Sequence, residues 1–430
     1  MSRPASPIVP ADGVEALQSL SNPPMNRFRF ASSCLISLGT GLNDSAPGAL
    51  IPYMELYYHI GYGIVSLLFV GNAIGFIVGA CFLDTIRERT GRAKTIALGQ
   101  ILVASGYVIL VCTPPFELVV IALFLIGFGA SLNLAVNNVF CGSLRNGTTV
   151  LGVLHGCYGV GGTVGPLIAT TMTASAGILW SRFYFITLGL ALVNIVFASW
   201  AFWKYDQELS AQDSGEPTGG VVPGQQQQSS AVRRSTLVNT MSSLSSRVVL
   251  LGALFIFAYQ GAEVSISGWV ISFLIASRNG DPSRVGYVTA GFWGGITLGR
   301  FLLSAPAQRV GERRFVYGLV IGAAIFELLV WLVPNVVGDA VAVAIVGLLL
   351  GPVYPCAAAV FLRSMSRWEQ TSGLGVISAF GSSGGAVAPF TTGMLAQTVG
   401  TFVLHPIAIA LFGAMMGCWY GIPNRPKRTE

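Results

Sequence analysis

Apolar and polar residues alternate along this chain on the scale of whole helices. Apolar runs of roughly 20 residues, long enough to cross a bilayer as an α-helix, lie near 28–52, 60–83, 95–113, 116–140, 148–172 and 183–203. After a polar break, further runs lie near 248–276, 285–304, 315–334, 340–362, 373–397 and 402–422. The pattern predicts an all-α polytopic membrane protein with twelve transmembrane helices. They would form two six-helix bundles related by pseudo-two-fold symmetry, over 28–203 and 248–422. The break, 204–247, is rich in Gly, Pro, Gln and Ser, the composition of a flexible linker, expected in the cytosol. Residues 1–27 are polar and Pro-rich without the apolar stretch of a signal peptide, and read as a disordered cytosolic tail. Residues 423–430 read as a second cytosolic tail.

Composition agrees with this pattern. Of 430 residues, 53% are hydrophobic and 10% are charged, against roughly 25% charge in a soluble domain. The 53 glycines suit helices that approach closely in a membrane. Seven cysteines are scattered through apolar segments with no CxxC and no His at metal spacing, which predicts neither a disulfide framework nor a metal site. The net charge of +6 comes from loops and does not mark a nucleic-acid surface. There is no Walker motif, no HExxH and no paired-Asp motif, so neither ATP-driven pumping nor catalysis is expected, and no cofactor is called for.

Charge also orients the chain. With its start in the cytosol, 20 of the 24 Lys and Arg residues fall on the cytosolic side. Arg182, Arg278 and Arg284 fall on the other side, and Arg300 lies within a span. The positive-inside rule then puts both termini in the cytosol. The sequon at Asn146 would also be cytosolic and carry no glycan. The halves echo each other: "GVLHGCYGVGGTVGP" (152–166) aligns without a gap on "GVISAFGSSGGAVAP" (375–389), which makes spans 5 and 11 equivalent. A fainter echo joins "GYGIVSLLFVGNAIG" in span 2 to "GYVTAGFWGGITLG" in span 8.

These features resemble the major facilitator superfamily over essentially all of 28–422. The loop "DTIRERTGRAK" resembles its signature loop, stretched between Asp84 and Gly91. The resemblance implies gating roles for Asp84, Arg89, Gly91 and Arg92. In span 5, Gly152, Gly161, Gly165 and Pro166 reproduce the glycine spacing of proton-antiporting members, with Ala169-Thr170 where that motif closes on Gly-Gly. This implies gating by Gly161, Gly165 and Pro166. "LNDSAPGALIP" in span 1 resembles fucose–proton symporter relatives, in which the Asp takes part in proton coupling; that role maps onto Asp44. Those relatives carry a second acid in span 4, where this chain has Asn133. "YQGAEVSISGWVISFL" with "GFWGGITLGR" is similar to a fungal branch that includes bypass-of-stop-codon-type membrane proteins.

Four charged residues are candidates for mid-bilayer depth: Asp44, Glu263, Arg300 and Glu327. Such residues usually face a bundle interior or a wet cavity. Asp44 and Glu263 fall about 22–24 Å along spans 1 and 7, by helical rise. This matching depth suits two proton-coupling carboxyls, because burial in an apolar medium disfavours the charged form. Either could equally be a structural acid held by a hydroxyl. Arg300 falls near the depth of Glu263, where it could neutralise that acid, bind an anionic solute or cap carbonyls. Glu327, in span 9, is expected to lie away from the transport path.

Asn43, Asn133, Asn137, His155, Tyr158, Tyr259 and Gln260 could read a hydroxylated solute, since an amide both donates and accepts. Trp269, Trp293 and Tyr354 could stack on its ring. Interhelical hydrogen bonding and aromatic packing would explain the same residues. The expected function is secondary active transport of a small organic solute by alternating access, driven by protons. The protein would work as a monomer in the lipid bilayer, in the plasma membrane rather than an internal one. Sugar-like uptake and metabolite export both remain open. The alternative is a solute sensor or receptor on the same fold.

Overall fold

The computed structural model of the chain describes residues 18–145, 147–208, 246–365 and 367–423. Residues 1–17, 209–245 and 424–430, which hold most of both tails and of the linker, and the sequon residue Asn146 lie outside the described residues.

Every described element is helical. Span 1 is α1 (Asn26–Ser45) followed by α2 (Pro47–Tyr58). Pro47 has no N–H to give the Asn43 carbonyl, so the ladder breaks there and resumes with Pro47 at the start of α2. A short α3 (Tyr62–Val65) leads into α4 (Leu67–Val111), which carries spans 2 and 3. The chain turns between them at Gly91, whose φ of 79° only glycine adopts readily. Spans 4, 5 and 6 are α5 (Phe116–Gly142), α6 (Gly147–Thr170) and α7 (Tyr184–Phe202). The second half begins with an unbroken α8 (Arg247–Arg278), followed by α9 (Pro282–Val285) and α10 (Val288–Val310) as spans 7 and 8. Span 9 is α11 (Glu312–Leu332), and span 10 is α12 (Val336–Leu350) with α13 (Val353–Ser364). Spans 11 and 12 are α14 (Arg367–Val399) and α15 (Leu404–Gly421). Eight helices among the described residues are long and apolar enough to cross a membrane, and the first of them, Tyr62–Val111, contains two spans. Spans 1, 8 and 11 complete the twelve.

Glycines set the packing and expose the symmetry. A Cβ on Gly161 would strike the Leu38 carbonyl where spans 5 and 1 cross; one on Gly384 would strike the Phe257 carbonyl where spans 11 and 7 cross. Spans 2 and 4 touch at Gly75 on Phe124, Gly79 on Phe128 and Gly127 on Asn72. Spans 8 and 10 touch at Gly295 on Ala344, Gly299 on Leu348 and Gly347 on Phe292. The second set is the first displaced by 220 residues. The sequence echo of span 2 in span 8 therefore sits one helical turn out of register. Glycine recurs at 71, 75 and 79 and at 291, 295 and 299, so a slip of four residues keeps the pattern while moving every contact.

The halves meet along two equivalent seams, span 5 on span 8 and span 2 on span 11, with spans 1 and 7 between them. On the face away from the described chain ends, the seams are closed by named contacts. Thr171 and Tyr287 share a hydroxyl bond of 3.1 Å, Gly63 N donates to Gln397 Oε1 at 3.4 Å, and Tyr62 packs edge-on to Trp269 at 5.8 Å. On the opposite face, Arg29, 0% exposed, pairs with Glu208 at 2.7 Å, tying the start of span 1 to the end of span 6. Among the described residues the 5–8 seam reaches Phe301, whose ring lies against Gly156, and the neighbouring His155 is exposed. Among the described residues, the contacts that close the seams lie on the far face.

Candidate functional site between the halves

The first acid sits in the last turn of α1, just before the break at Pro47. Tyr158 Oη donates to Asp44 Oδ2 at 3.1 Å, and Asn43 Nδ2 donates to Asp44 Oδ1 at 3.2 Å. A carboxylate in this place gains two donors without a cation. The close crossing of spans 1 and 5 brings Tyr158 within reach: a Cβ on Gly41 would strike the Tyr158 carbonyl, and Gly165 lies against Ser45.

The second acid occupies the equivalent place. Leu38 and Phe257, the two carbonyl contacts of the equivalent glycines Gly161 and Gly384, each precede their acid by six residues. Asp44 and Glu263 therefore share one register against spans 5 and 11. Their surroundings differ. Glu263 is 8% exposed and lies within electrostatic range of Arg300 on α10, beside Tyr259 one turn back on α8. Arg300 also acts electrostatically on Tyr158, His155 and Tyr354. Desolvating a carboxylate is costly unless a charge or donors compensate; Arg300 supplies the charge here, whereas Asp44 relies on donors.

One aromatic contact crosses the seam beside the first acid, and another lies beside the second. Tyr158 meets Trp293 edge-on at 6.0 Å, and Trp293 covers Gly162. Tyr259 meets Tyr354 at 6.1 Å, and the Gln260 amide lies close to Gly381 of span 11. Two buried polar atoms in this group make no hydrogen bond, Glu263 Oε2 and Trp293 Nε1, while the Tyr259 hydroxyl lies within reach of Glu263 and Arg300. They can donate to or accept from a hydroxylated guest.

Other candidates stand elsewhere. Asn137 Oδ1 accepts from Ser33 Oγ at 3.0 Å, pinning span 4 to span 1. Asn133 Nδ2 donates to its own Gly129 carbonyl at 2.9 Å, and its other end faces a cavity inside the first bundle. Trp269, 1% exposed, donates to the Pro389 carbonyl at 2.9 Å in the far-face closure, beside Tyr62 and Phe69. Pro166 is buried in α6 between the glycine contacts and the far end of span 5. Asp84 is exposed and pairs with Arg87 on its own helix at 3.0 Å, and Arg89 is exposed. Gly91 and Arg92 meet the end of span 6: Asp206 Oδ2 accepts from Arg92 N at 2.8 Å, and Arg92 stacks over Tyr205.

One buried ionic group is not legible in the sequence. Glu327 on span 9 bonds His405 on span 12 at 2.8 Å, with exposures of 1% and 0%. Asp339 beside them pairs with Arg278 at 3.2 Å. This group braces spans 7, 9, 10 and 12 near the far face, away from the seam. Glu327 and His405 lie 78 residues apart, and no spacing rule joins them.

Two pseudo-symmetric six-helix bundles enclosing a polar site with paired intramembrane acids define a multi-pass membrane transporter, not an enzyme. The chain belongs to the Major Facilitator Superfamily, whose model matches residues 33–277 and 262–430. It is 25% identical to Bypass of stop codon protein 6 of Saccharomyces cerevisiae over 422 residues, covering 90% of this chain and 82% of that one. It is 24% identical to a glucose/galactose transporter of Brucella abortus over 409 residues, covering 88% and 89%. Among solved structures it matches a D-xylose-proton symporter with a TM-score of 0.72 at 11% identity, over 92% of this chain and 98% of that one.

Proposed function

We propose that the protein is a proton-coupled secondary transporter that carries a small hydroxylated, sugar-like solute by alternating access. The observation that carries this reading is the group at the seam: two acids in one register, with Glu263 Oε2 and Trp293 Nε1 buried and unpartnered between the halves. A polyol offers hydroxyls to such atoms, and flat aromatic faces at Tyr158, Trp293 and Tyr354 suit the apolar face of a sugar ring. The names of the Brucella relative and of the xylose symporter support the same solute class. In this reading Asp44 takes and releases the proton. Glu263 and Arg300 hold the second half's side of the site, and His155 lies on the open path toward it. Rocking of the bundles about the 5–8 and 2–11 seams would expose the site to each side in turn. The unit of transport is the monomer in a plasma-membrane bilayer, with both termini cytosolic.

Reconstitution tests the reading. Purified protein in liposomes should accumulate a labelled hexose or pentose against its concentration gradient only when a pH gradient is imposed. Solute binding without flux would instead mark a sensor.

A further inference from the structure

A second polar site lies inside the first bundle, enclosed by spans 1, 3, 4 and 6 and separate from the seam. Thr40, Asn43, Gln100, Asn133, Thr187 and Asn194 give it polar walls. Its volume of about 20 Å³ holds one or two water-sized occupants.

Three of these side chains are almost fully buried: Asn43 is 4%, Asn133 1% and Asn194 2% exposed. The amide oxygen of each lacks a hydrogen-bond partner. For two of them the orientation of the amide is fixed by its other end, since Asn133 Nδ2 donates to Gly129 O at 2.9 Å and Asn43 Nδ2 to Asp44 Oδ1 at 3.2 Å. The unpartnered ends are thus acceptors. The Thr40 hydroxyl donates to the Ile36 carbonyl at 3.0 Å, which leaves its lone pairs available; the Thr187 hydroxyl donates to the Tyr184 carbonyl at 3.1 Å and lies within reach of the Tyr107 phenol in the same lining. Orphaned buried acceptors are costly. One water brings two O–H donors to three amide oxygens, whereas a cation draws on all of them at once. Hard cations favour such oxygen ligands.

We propose that this cavity binds a small alkali cation of sodium size, held by the amide oxygens of Asn43, Asn133 and Asn194 with the hydroxyls of Thr40 and Thr187. Asp44 balances the charge through Asn43, whose amide it polarises from the nitrogen end. Cation in the cavity and proton on Asp44 then oppose each other across one side chain. The cavity is lined by the first bundle alone, and its test needs no solute and no flux, so its failure would leave the transport reading untouched.

The full chain, purified in detergent without solute, is unfolded thermally in sodium, lithium, potassium or choline chloride at equal ionic strength. Sodium should raise Tm by about 2 °C or more, saturably, relative to choline, with a smaller rise in potassium and a weaker sodium effect at acid pH. Asn133→Asp places a carboxylate in the cage and should lower the half-saturating sodium concentration at least about tenfold. Asn194→Leu should abolish the rise. Should Asn194→Leu fail to fold, the wild-type chain and Asn133→Asp still decide. Equal Tm in sodium and choline for both would overturn the proposal, as would a sodium effect unchanged by Asn133→Asp.

Discussion

Asp44 and Glu263 occupy the same position in the two halves, and nearly everything around them differs. Asp44 lies at a proline-broken point of span 1 and is held by a phenol and an amide. Glu263 lies in the middle of a continuous 32-residue helix and has a guanidinium for company. Protonating the first strands no charge, because both its donors are neutral. Protonating the second would give up its attraction to Arg300, a term that Asp44 does not have. We propose that one fold repeated twice gives one acid that titrates, Asp44, and one held by the charge of Arg300, Glu263.

The sharpest break of this comparison is Asp44→Asn. Gradient-driven accumulation should fall to background while solute exchange persists, because exchange needs binding and rocking but no net proton release. A variant that still accumulates solute with unchanged pH dependence would reduce Asp44 to a structural acid.

The second half should respond through stability. Glu263→Gln removes the acid within electrostatic range of Arg300 and should cost about 3–5 kcal/mol, with Glu263→Gln/Arg300→Gln recovering part of it. A double-mutant cycle on thermal unfolding measures this, and additive losses would dissolve the pair.

The shared frame can be tested separately from the acids. Gly161→Ala and Gly384→Ala each drive a methyl into a backbone carbonyl and should each cost about 1–3 kcal/mol. Gly152→Ala meets nothing within 4 Å and should be neutral or mildly stabilising. Unequal effects at 161 and 384 would argue against one crossing used twice.

The smallest expected effect is at Tyr158. Tyr158→Phe removes one donor from Asp44 and should cost about 1 kcal/mol in stability. It should lower the proton dependence of uptake more than solute exchange, as comparison of the two assays would show.

Much of this architecture can be read from residue order alone, because the bilayer demands long apolar helices and because helix crossings demand glycine. Spans 5 and 11 align without a gap, since Gly161 and Gly384 are each fixed by contact with a carbonyl of the crossing helix. Spans 2 and 8 misled by one turn, since glycines four residues apart look alike after a slip. Side-chain direction was less legible. Asn133 and Asn137 share a helix with cavity-facing positions, yet one turns into its own bundle and the other bonds Ser33. Trp269 follows Glu263 on α8 but lies nearly two turns nearer the far face, where it closes the seam. Partners distant in sequence, such as Glu327 with His405 and Arg29 with Glu208, emerge only when the bundles are assembled.

The division of labour between the two acids is tested most directly by infrared difference spectroscopy of the purified protein as pH is lowered. The protonated-carboxyl band that grows above the pH range of exposed carboxyls should contain, in the wild-type chain and in the Glu263→Gln/Arg300→Gln variant, a component that is missing in Asp44→Asn. A band that survives Asp44→Asn and disappears when Glu263 is replaced would contradict the account.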